Sequence, residues 1–343
     1  MITHGTRAWA QEPVVLRADV LLYGDNTEFR NPFREGETIF GAAARVGADL
    51  ELSSRATLTL GAFGNQRFGS DSAFELVRPV IALTVTGRRS AFVFGALPAR
   101  RAGAPSGADR AGPHALIPAL QRETLAFDRA FEPGLQWTFT GSRLRHDAWI
   151  EWQQINTAAH RERFDAGVNG EIRAGAGVAV PVQLHVVHQG GQLFATGPVA
   201  DSVAVATGVR LTRSVSGSLQ ASIEALGLLS RYVPDRAMPD LSRDGTAFFG
   251  RAALERDGWR IHLIVWRGRN FLKDEGDQNY LSLRRDGTRY KGTRDYAEIG
   301  AGRRFRLAPS ASLEVSGRLH RVEQFYEYSY RVVSTVNVGA RLR

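Results

Sequence analysis

The chain has 343 residues, of which 43% are hydrophobic, and it contains 36 glycines, 13 prolines and no cysteine, which excludes disulfides and thiol chemistry. No apolar run approaches the ~20 residues that a membrane-spanning helix requires. The formal charge is +9, but basic and acidic residues are interleaved, which argues against nucleic acid as a partner.

The N-terminal segment carries a possible processing signal. Ala8-Trp9-Ala10 has the small-x-small form of a signal-peptidase site, and a strand pattern begins shortly afterwards. The preceding residues lack the usual apolar core, so the match could also be chance. We predict that residues 1–10 are the remnant of a signal peptide and that residues 11–343 form one structural domain.

A period-two pattern begins at Val14 and continues to the end of the chain. From Val14 to Tyr23 apolar residues occupy alternate positions, with Arg17 and Asp19 between them. Because successive side chains of a strand point to opposite faces, this alternation predicts a β-strand. The pattern recurs in residues 42–52, 56–62, 78–86, 135–139, 145–152, 168–173, 178–186, 203–212, 219–225, 248–255, 259–265, 298–306, 313–320 and 331–342. We predict about 16 strands.

The connections between these strands alternate in length. Tight turns are predicted near residues 53, 87, 141, 175, 214, 257 and 308. Longer polar loops are predicted at residues 25–35, 100–122, 232–243 and 270–292, and residues 110–122 could hold a short helix. Strict alternation of short and long connections is typical of an up-and-down antiparallel barrel.

The apolar face could border lipid or a second protein layer. A soluble sandwich buries its apolar faces in a dry core, whereas a membrane barrel turns them to lipid and must be closed. Three observations favour the membrane: small outward residues, charges in the middle of strands, and aromatic residues near strand ends, as in membrane-interface girdles. These aromatic residues are Tyr23, Phe63, Phe68, Trp266, Phe271, Phe305 and Tyr330.

The chain resembles the Gram-negative outer-membrane β-barrel (porin-like) proteins, in particular a poorly characterised bacterial family. The stretch YGDNTEFRNPFREGETIFGA, from Tyr23 to Ala42, is similar to the first hairpin of such proteins. The resemblance implies an all-β fold, a single closed transmembrane barrel with short periplasmic turns and longer extracellular loops. It also implies location in the outer membrane, with membrane lipid as a partner. Two features depart from the class: the chain ends in ARLR, and Pro181 interrupts a strand, which predicts a bulge.

No catalytic motif is present. The sequence lacks the G-x-S-x-G, H-E-x-x-H and P-loop patterns. His185 and His188 are three residues apart, which places them on opposite faces of a strand and argues against a shared metal. Asp25, Asn26 and Glu28 could offer oxygen ligands to calcium, or form a solvated loop. We therefore predict no catalytic residue, no metal, no cofactor and no enzymatic activity.

The polar faces predict a set of residues lining a pore. Their slight excess of arginine favours a passive or weakly anion-preferring channel. Arginine and the aromatic Trp149 would also suit acidic saccharides, by distant analogy with alginate-export porins. The predicted lining residues are Arg17, Asp19, Arg45, Asp49, Glu51, Arg78, Arg145, Asp147, Trp149, Glu151, Glu171, Arg173, Arg210, Glu224, Arg251, Glu255, Arg260, His262, Glu298, Arg304, Arg306, Glu314, Arg318, Arg331 and Arg341.

Two alternatives to a channel remain. The barrel could have an occluded lumen and serve a structural or surface-interaction role through its long loops. It could also be an outer-membrane hydrolase, which would require a serine, a histidine and an acid to converge at one rim. Sequence spacing alone cannot show such convergence.

Overall fold

Sixteen antiparallel strands close into one barrel in the computed structural model, which describes residues 14–98 and 114–342. Each strand pairs with its neighbours in chain order, and β1 closes the barrel against β16. The predicted fold class, strand number and up-and-down topology are confirmed. The predicted signal-peptide remnant at residues 1–10 lies outside the described residues and stays a prediction.

The strands vary in length, and one short α-helix interrupts their succession. The helix α1 spans Leu125–Asp128. The strands are β1 Val14–Glu28, β2 Glu37–Ser53, β3 Ala56–Arg67, β4 Leu76–Thr86, β5 Ser90–Ala96, β6 Pro133–Thr140, β7 Leu144–Gln154, β8 Glu162–Gly175, β9 Val178–Gly190, β10 Ala200–Ser216, β11 Leu219–Val233, β12 Arg243–Arg256, β13 Trp259–Arg269, β14 Thr293–Ala308, β15 Ala311–Val322 and β16 Phe325–Leu342.

The apolar face of the strands is turned outward. Leu16 and Leu22 of β1 are 43% and 45% exposed, and Ile261 of β13 is 53% exposed. Their neighbours along each strand point into the barrel. A continuous outer surface of exposed Leu, Val and Ile on a closed sheet is the surface that lipid requires, so the barrel belongs in the outer membrane.

The two rims of the barrel differ. Turns of two or three residues join strands at the rim that holds the start of β1, which is the periplasmic side in barrels of this class. Longer loops join strands at the opposite, extracellular rim, with one departure from the predicted alternation. The β15–β16 connection at this rim is a two-residue turn in which Glu323 has a φ of 55°. The extracellular wall therefore carries no long loop at that point.

Two extracellular loops fold into the barrel. The 114–132 loop buries Ile117 and Leu120 completely, and Ile117 N donates to Gln183 Oε1 of β9 at 2.9 Å. The 270–292 loop buries Phe271 and Tyr280 against the walls. Backbone bonds join the two loops to each other. They fill the extracellular half of the lumen. Of the helix predicted at residues 110–122, residues 110–113 lie outside the described residues and residues 114–122 are not helical; α1 begins only at Leu125. Among the described residues, no helix is long and apolar enough to cross a membrane.

The aromatic girdle predicted from strand ends is only partly correct. Phe68, Phe305 and Tyr330 are exposed on the outer surface, whereas Tyr23, Phe63, Trp266 and Phe271 are buried inside. The inward aromatic rings pack against the two loops; Tyr23, for example, stacks on Phe127 at 4.8 Å between ring centroids. Folded-in loops need an apolar wall to pack on, and strand periodicity gave no sign of them.

The bulge predicted at Pro181 is also absent from the described strands. Pro181 keeps its register with Glu171 of β8, and the ladder to β10 omits the pairs of Pro181 and Val180 without shifting register. Thr207 Oγ1 donates to the Pro181 carbonyl at 2.9 Å. A side-chain hydroxyl therefore satisfies this carbonyl where the ladder is interrupted, and the strand stays straight.

Candidate active site

Three consecutive strands bring a serine, a histidine and a glutamate together on the lumenal face. Glu298 of β14 lies directly opposite His320 of β15. Ser329 of β16 is opposite Arg318, which makes it the diagonal neighbour of His320. Cross-strand and diagonal neighbours on one face of a sheet are within side-chain reach. The three residues come from strands that are separate in sequence but adjacent in the wall.

The hydrogen bonds of this group determine which nitrogen of His320 carries the proton. His320 Nε2 lies 2.8 Å from Ser329 Oγ, and His320 Nδ1 lies 2.8 Å from the Tyr296 hydroxyl. That hydroxyl donates to Glu298 Oε2 at 2.6 Å. Because the tyrosine proton goes to the carboxylate, its oxygen accepts from Nδ1–H. Nε2 is then unprotonated and accepts the serine proton. This is the arrangement of a nucleophile, a base and an orienting acid.

A second histidine holds the other oxygen of the glutamate. His262 Nε2 lies 2.7 Å from Glu298 Oε1. Glu298, His320 and Tyr296 are each less than 5% exposed. The edge of the Phe29 ring meets the His320 ring at 4.9 Å between centroids. The base and its orienting groups are therefore fixed and shielded from bulk water, which strengthens their electrostatic interactions.

Two arginines place positive charge beside the serine. Arg318 and Arg331 share Glu123 of the 114–132 loop, whose Oε2 lies 2.9 Å and 2.7 Å from their guanidinium nitrogens. Burial by itself would raise the pKa of Glu123, but the two guanidinium groups outweigh it and lower that pKa to about 2. Arg331 also contacts Asp25 of β1. The loop is thereby tied to the wall next to Ser329.

Two cavities meet at this site. A cavity of about 30 Å³, the share of one water molecule in the liquid, is lined by Ser329, His320 and the two arginines. A vestibule of about 1230 Å³ opens at the extracellular mouth. The two share Arg34 and Asp277, whose side chains pair at 2.6 Å. This ion pair, between the 29–36 and 270–292 loops, separates the vestibule from the serine.

The lumenal wall also carries a continuous series of ion pairs. Their residues belong to the set that was predicted to line a pore. Arg210 of β10 lies 2.6 Å from Glu171 and 2.5 Å from Glu224. Glu224 in turn lies 2.5 Å from Arg251, and Glu171 lies 3.7 Å from Arg145. The charges pair across neighbouring strands and brace the wall.

The remaining residues predicted to line a pore also occupy inward-facing strand positions. Near the periplasmic turns Arg304 Nη2 pairs with Glu314 Oε2 at 2.7 Å. Nearer the loops, Asp147 Oδ2 lies 3.1 Å from His114 Nδ1, and Trp149 stacks on that imidazole at 3.6 Å. One face of the indole that we expected to meet saccharides thus packs against a loop. The others are Arg17, Asp19, Arg45, Asp49, Glu51, Arg78, Glu151, Arg173, Glu255, Arg260, His262, Glu298, Arg306, Arg318, Arg331 and Arg341. That any of them lines a conducting path stays a prediction.

The acidic and histidine clusters considered from sequence are split by the wall. Asp25 points inward to Arg331, whereas Asn26 Nδ2 donates to Glu28 Oε1 at 2.8 Å on the outer face. They belong to β1 and not to a loop, so the solvated loop predicted there is wrong, and the three residues do not share the one face that a calcium ion would require. The placement of His185 and His188 on opposite faces is confirmed, since each pairs with a different aspartate.

The chain matches a known protein family and is similar in fold to solved outer-membrane barrels. A family profile described as lipid A 3′-O-deacylase-type matches residues 7–342. No curated protein sequence matches the chain. Among solved structures, a loop-deletion mutant of the Vibrio cholerae outer-membrane protein OmpT has a TM-score of 0.57 at 10% identity, covering 96% of this chain and 100% of that one. Pseudomonas aeruginosa OccK8 (OprE) has a TM-score of 0.52 at 10% identity, covering 95% and 98%. These similarities show the fold alone.

The expectation that the chain is not an enzyme is wrong, because the matching profile describes an enzyme family. The sequence hid the catalytic candidates for a physical reason. Ser329 and His320 look like ordinary polar positions of two strands, and Tyr296 like an aromatic near a strand end. Only the pairing of β14, β15 and β16 places them side by side. A sequence-level signal did exist, since the alternation puts all of them on the inward face of consecutive strands.

Proposed function

Because the chain belongs to the lipid A 3′-O-deacylase-type family, we propose that it is an outer-membrane hydrolase that releases an ester-linked acyl chain from lipid A. The observation that carries the assignment of residues is the 2.8 Å contact between Ser329 Oγ and His320 Nε2, with Tyr296 and Glu298 behind the imidazole. Ser329 is the proposed nucleophile, His320 the base, and Tyr296 with Glu298 the orienting pair.

The reaction follows from the directions of these hydrogen bonds. Ser329 Oγ attacks the ester carbonyl carbon while its proton passes to His320 Nε2. The imidazolium that forms is stabilised at Nδ1 by the Tyr296 oxygen and by the negative charge of Glu298. His320 then returns the proton to the departing sugar oxygen, which leaves the acyl chain on Ser329. Water, deprotonated by His320, hydrolyses this acyl-enzyme and regenerates the serine.

The arginines beside the serine suit the charge that develops. A tetrahedral intermediate carries a negative oxygen, and preorganised positive groups in a water-poor site stabilise it strongly. Arg318 and Arg331 line the same small cavity as Ser329. Glu123 holds both of them, so their positions are set before substrate arrives.

The route to the serine passes through the extracellular rim. Ser329 lies four residues into β16, ~13 Å of strand from its extracellular end. The neighbouring β15–β16 turn has only two residues, so no long loop covers the rim beside the serine. The vestibule offers a second approach, closed by the Arg34–Asp277 pair. Since the small cavity holds about one water molecule, an ester can enter only if this pair or Phe29 moves.

The channel function is less well supported than hydrolysis. The 114–132 and 270–292 loops pack tightly into the extracellular half of the barrel, which favours the occluded lumen among the alternatives. The predicted small anionic solutes and acidic saccharides have no support from a specific contact. Lipid A, an anionic acylated saccharide of the outer leaflet, is the better candidate for the substrate.

The test is hydrolysis of lipid A by refolded protein in detergent–lipid micelles, with the released fatty acid measured by mass spectrometry. We expect Ser329→Ala and His320→Gln each to lower the turnover rate by about 10³-fold or more. The matched control is Ser312→Ala, which removes another inward hydroxyl of β15, bonded to Thr335 Oγ1 at 2.9 Å. Heat-modifiable migration on gels verifies that each variant is folded. A Ser329→Ala variant that hydrolyses lipid A at the wild-type rate would refute the assignment.

A further inference from the structure

A second buried cluster lies inside the barrel, apart from Ser329. Asp165 of β8 and His185 of β9 are diagonal neighbours on the lumenal face, and Glu275 reaches them from the 270–292 loop. One ligand atom from each of the three side chains lies within 4.8 Å of the other two. Asp165 and His185 are completely buried. We propose that these three residues bind a divalent transition-metal ion of the zinc type.

Unsatisfied polar atoms point to a missing ligand. Glu275 Oε2 is buried and has no hydrogen-bond partner among the described residues. Gln121 Oε1 is a second such atom, on the side chain whose amide nitrogen lies 3.3 Å from Asp165 Oδ2. Leaving a buried polar group without a partner is unfavourable. An unpartnered carboxylate oxygen among the three candidate ligands is what an ion would satisfy.

Hydrogen-bond donors around the cluster fix the orientation of the two carboxylates. Trp149 Nε1 donates to Asp165 Oδ1 at 2.8 Å. Arg129 Nη2 and Arg163 Nη2 lie 2.7 Å and 3.3 Å from Glu275 Oε1. Donors thus fix Asp165 Oδ1 and Glu275 Oε1, Asp165 Oδ2 contacts Gln121 Nε2 and His185 Nε2, and Glu275 Oε2 is left for a ligand. Metal-binding carboxylates and histidines are oriented by such hydrogen bonds in known sites.

The chemistry of the donors selects the metal. One imidazole nitrogen with two carboxylates suits zinc and its neighbours, whereas calcium prefers six to eight oxygen ligands. Three carboxylates, Asp165, Glu275 and Glu151, lie at the site, and they face Arg129, Arg163 and the buried ammonium of Lys273. The 2.6 Å contact between His185 Nε2 and Asp165 Oδ2 must widen to ~3.3 Å for both to bind one tetrahedral ion, with loss of the proton between them.

The experiment uses the untagged full chain, stripped with EDTA and then given zinc alone. We expect one zinc per chain after desalting, measured by elemental analysis, and a higher unfolding temperature in detergent. Cobalt in place of zinc should give visible absorption bands that report nitrogen and oxygen ligands. Asp165→Asn, His185→Gln and the loop variant Glu275→Gln should each weaken zinc binding at least tenfold.

Two control variants test whether zinc binding is specific to this cluster and whether it is independent of the proposed hydrolysis. His188→Gln removes the outward histidine three residues along the same strand and should retain zinc. Ser329→Ala should also retain zinc, so the metal site stands even if hydrolysis is not found. Wild-type protein that keeps no zinc, or stoichiometric binding that persists in a folded Asp165→Asn/His185→Gln variant, would overturn the proposal. The first result would mean that the cluster binds no zinc, and the second that zinc binds elsewhere in the chain.

Discussion

The 114–132 loop is held in the barrel by a charge that depends on pH. His114 is 2% exposed and stacks on Trp149, with its two nitrogens 3.1 Å from Asp147 Oδ2 and 3.3 Å from Glu132 Oε2. Burial alone would lower the pKa of His114, but the two carboxylates outweigh it and raise that pKa from 6.5 to about 9. The docked loop therefore binds a proton that an undocked loop releases.

The difference in the pKa of His114 between the docked and undocked loop determines how docking depends on pH. Because the pKa of His114 is higher in the docked state, protonation stabilises docking fully below pH 6.5, and this stabilisation is lost as pH rises through about 9. A difference of about 2.5 pKa units at 1.36 kcal/mol each amounts to about 3 kcal/mol, or roughly a 300-fold change in the docking equilibrium. We expect the loop to open far more often at pH 10 than at pH 6.

Thiol labelling measures this opening, because the chain has no cysteine of its own. Ala119→Cys places one thiol on the completely buried part of the loop, and Ser310→Cys on an exposed periplasmic turn corrects for the pH dependence of the thiol. The corrected labelling rate at position 119 should rise by about two orders of magnitude from pH 6 to pH 10. Adding His114→Gln should make the rate high and nearly independent of pH. An equal pH dependence with and without His114 would refute the reasoning.

Three further predictions concern the wall, the vestibule and the lumen. Arg210→Met removes the contact between Arg210 and Glu224, so the free energy of unfolding by urea in lipid vesicles should fall by roughly 3 kcal/mol; an unchanged value would mean that water already screens the pair. Arg34→Met removes the pair with Asp277 that separates the two cavities, and kcat/KM for lipid A should rise roughly tenfold; a fall would show that Arg34 binds substrate instead. In planar bilayers the wild-type protein should show no steady conductance, because the two loops pack into the extracellular half of the lumen; regular ohmic steps at several salt concentrations would restore the channel function.

The architecture could be predicted from sequence because it depends on local rules. Alternation from Val14 to Tyr23 and its recurrences assign the faces of the strands, since side-chain direction in a strand has a period of two. Short turns require neighbouring strands to pair in order, and lipid requires the sheet to close. These rules suffice for the sixteen-stranded barrel, for its outward apolar surface and for the inward position of charges such as Arg210 and Glu224.

The contacts within the candidate active site could not be predicted from local sequence patterns. The diagonal contact of Ser329 with His320 depends on the register of β15 with β16, where a shift of one residue would send Ser329 to the lipid face. Glu123, Arg34 and Glu275 reach the interior only because their loops fold into the barrel, and loop sequences carry no periodicity that predicts this. The sequence by itself determined which side chains face inward. Tertiary structure alone decided which of them meet, because meeting depends on register and on loop docking between residues far apart in the chain.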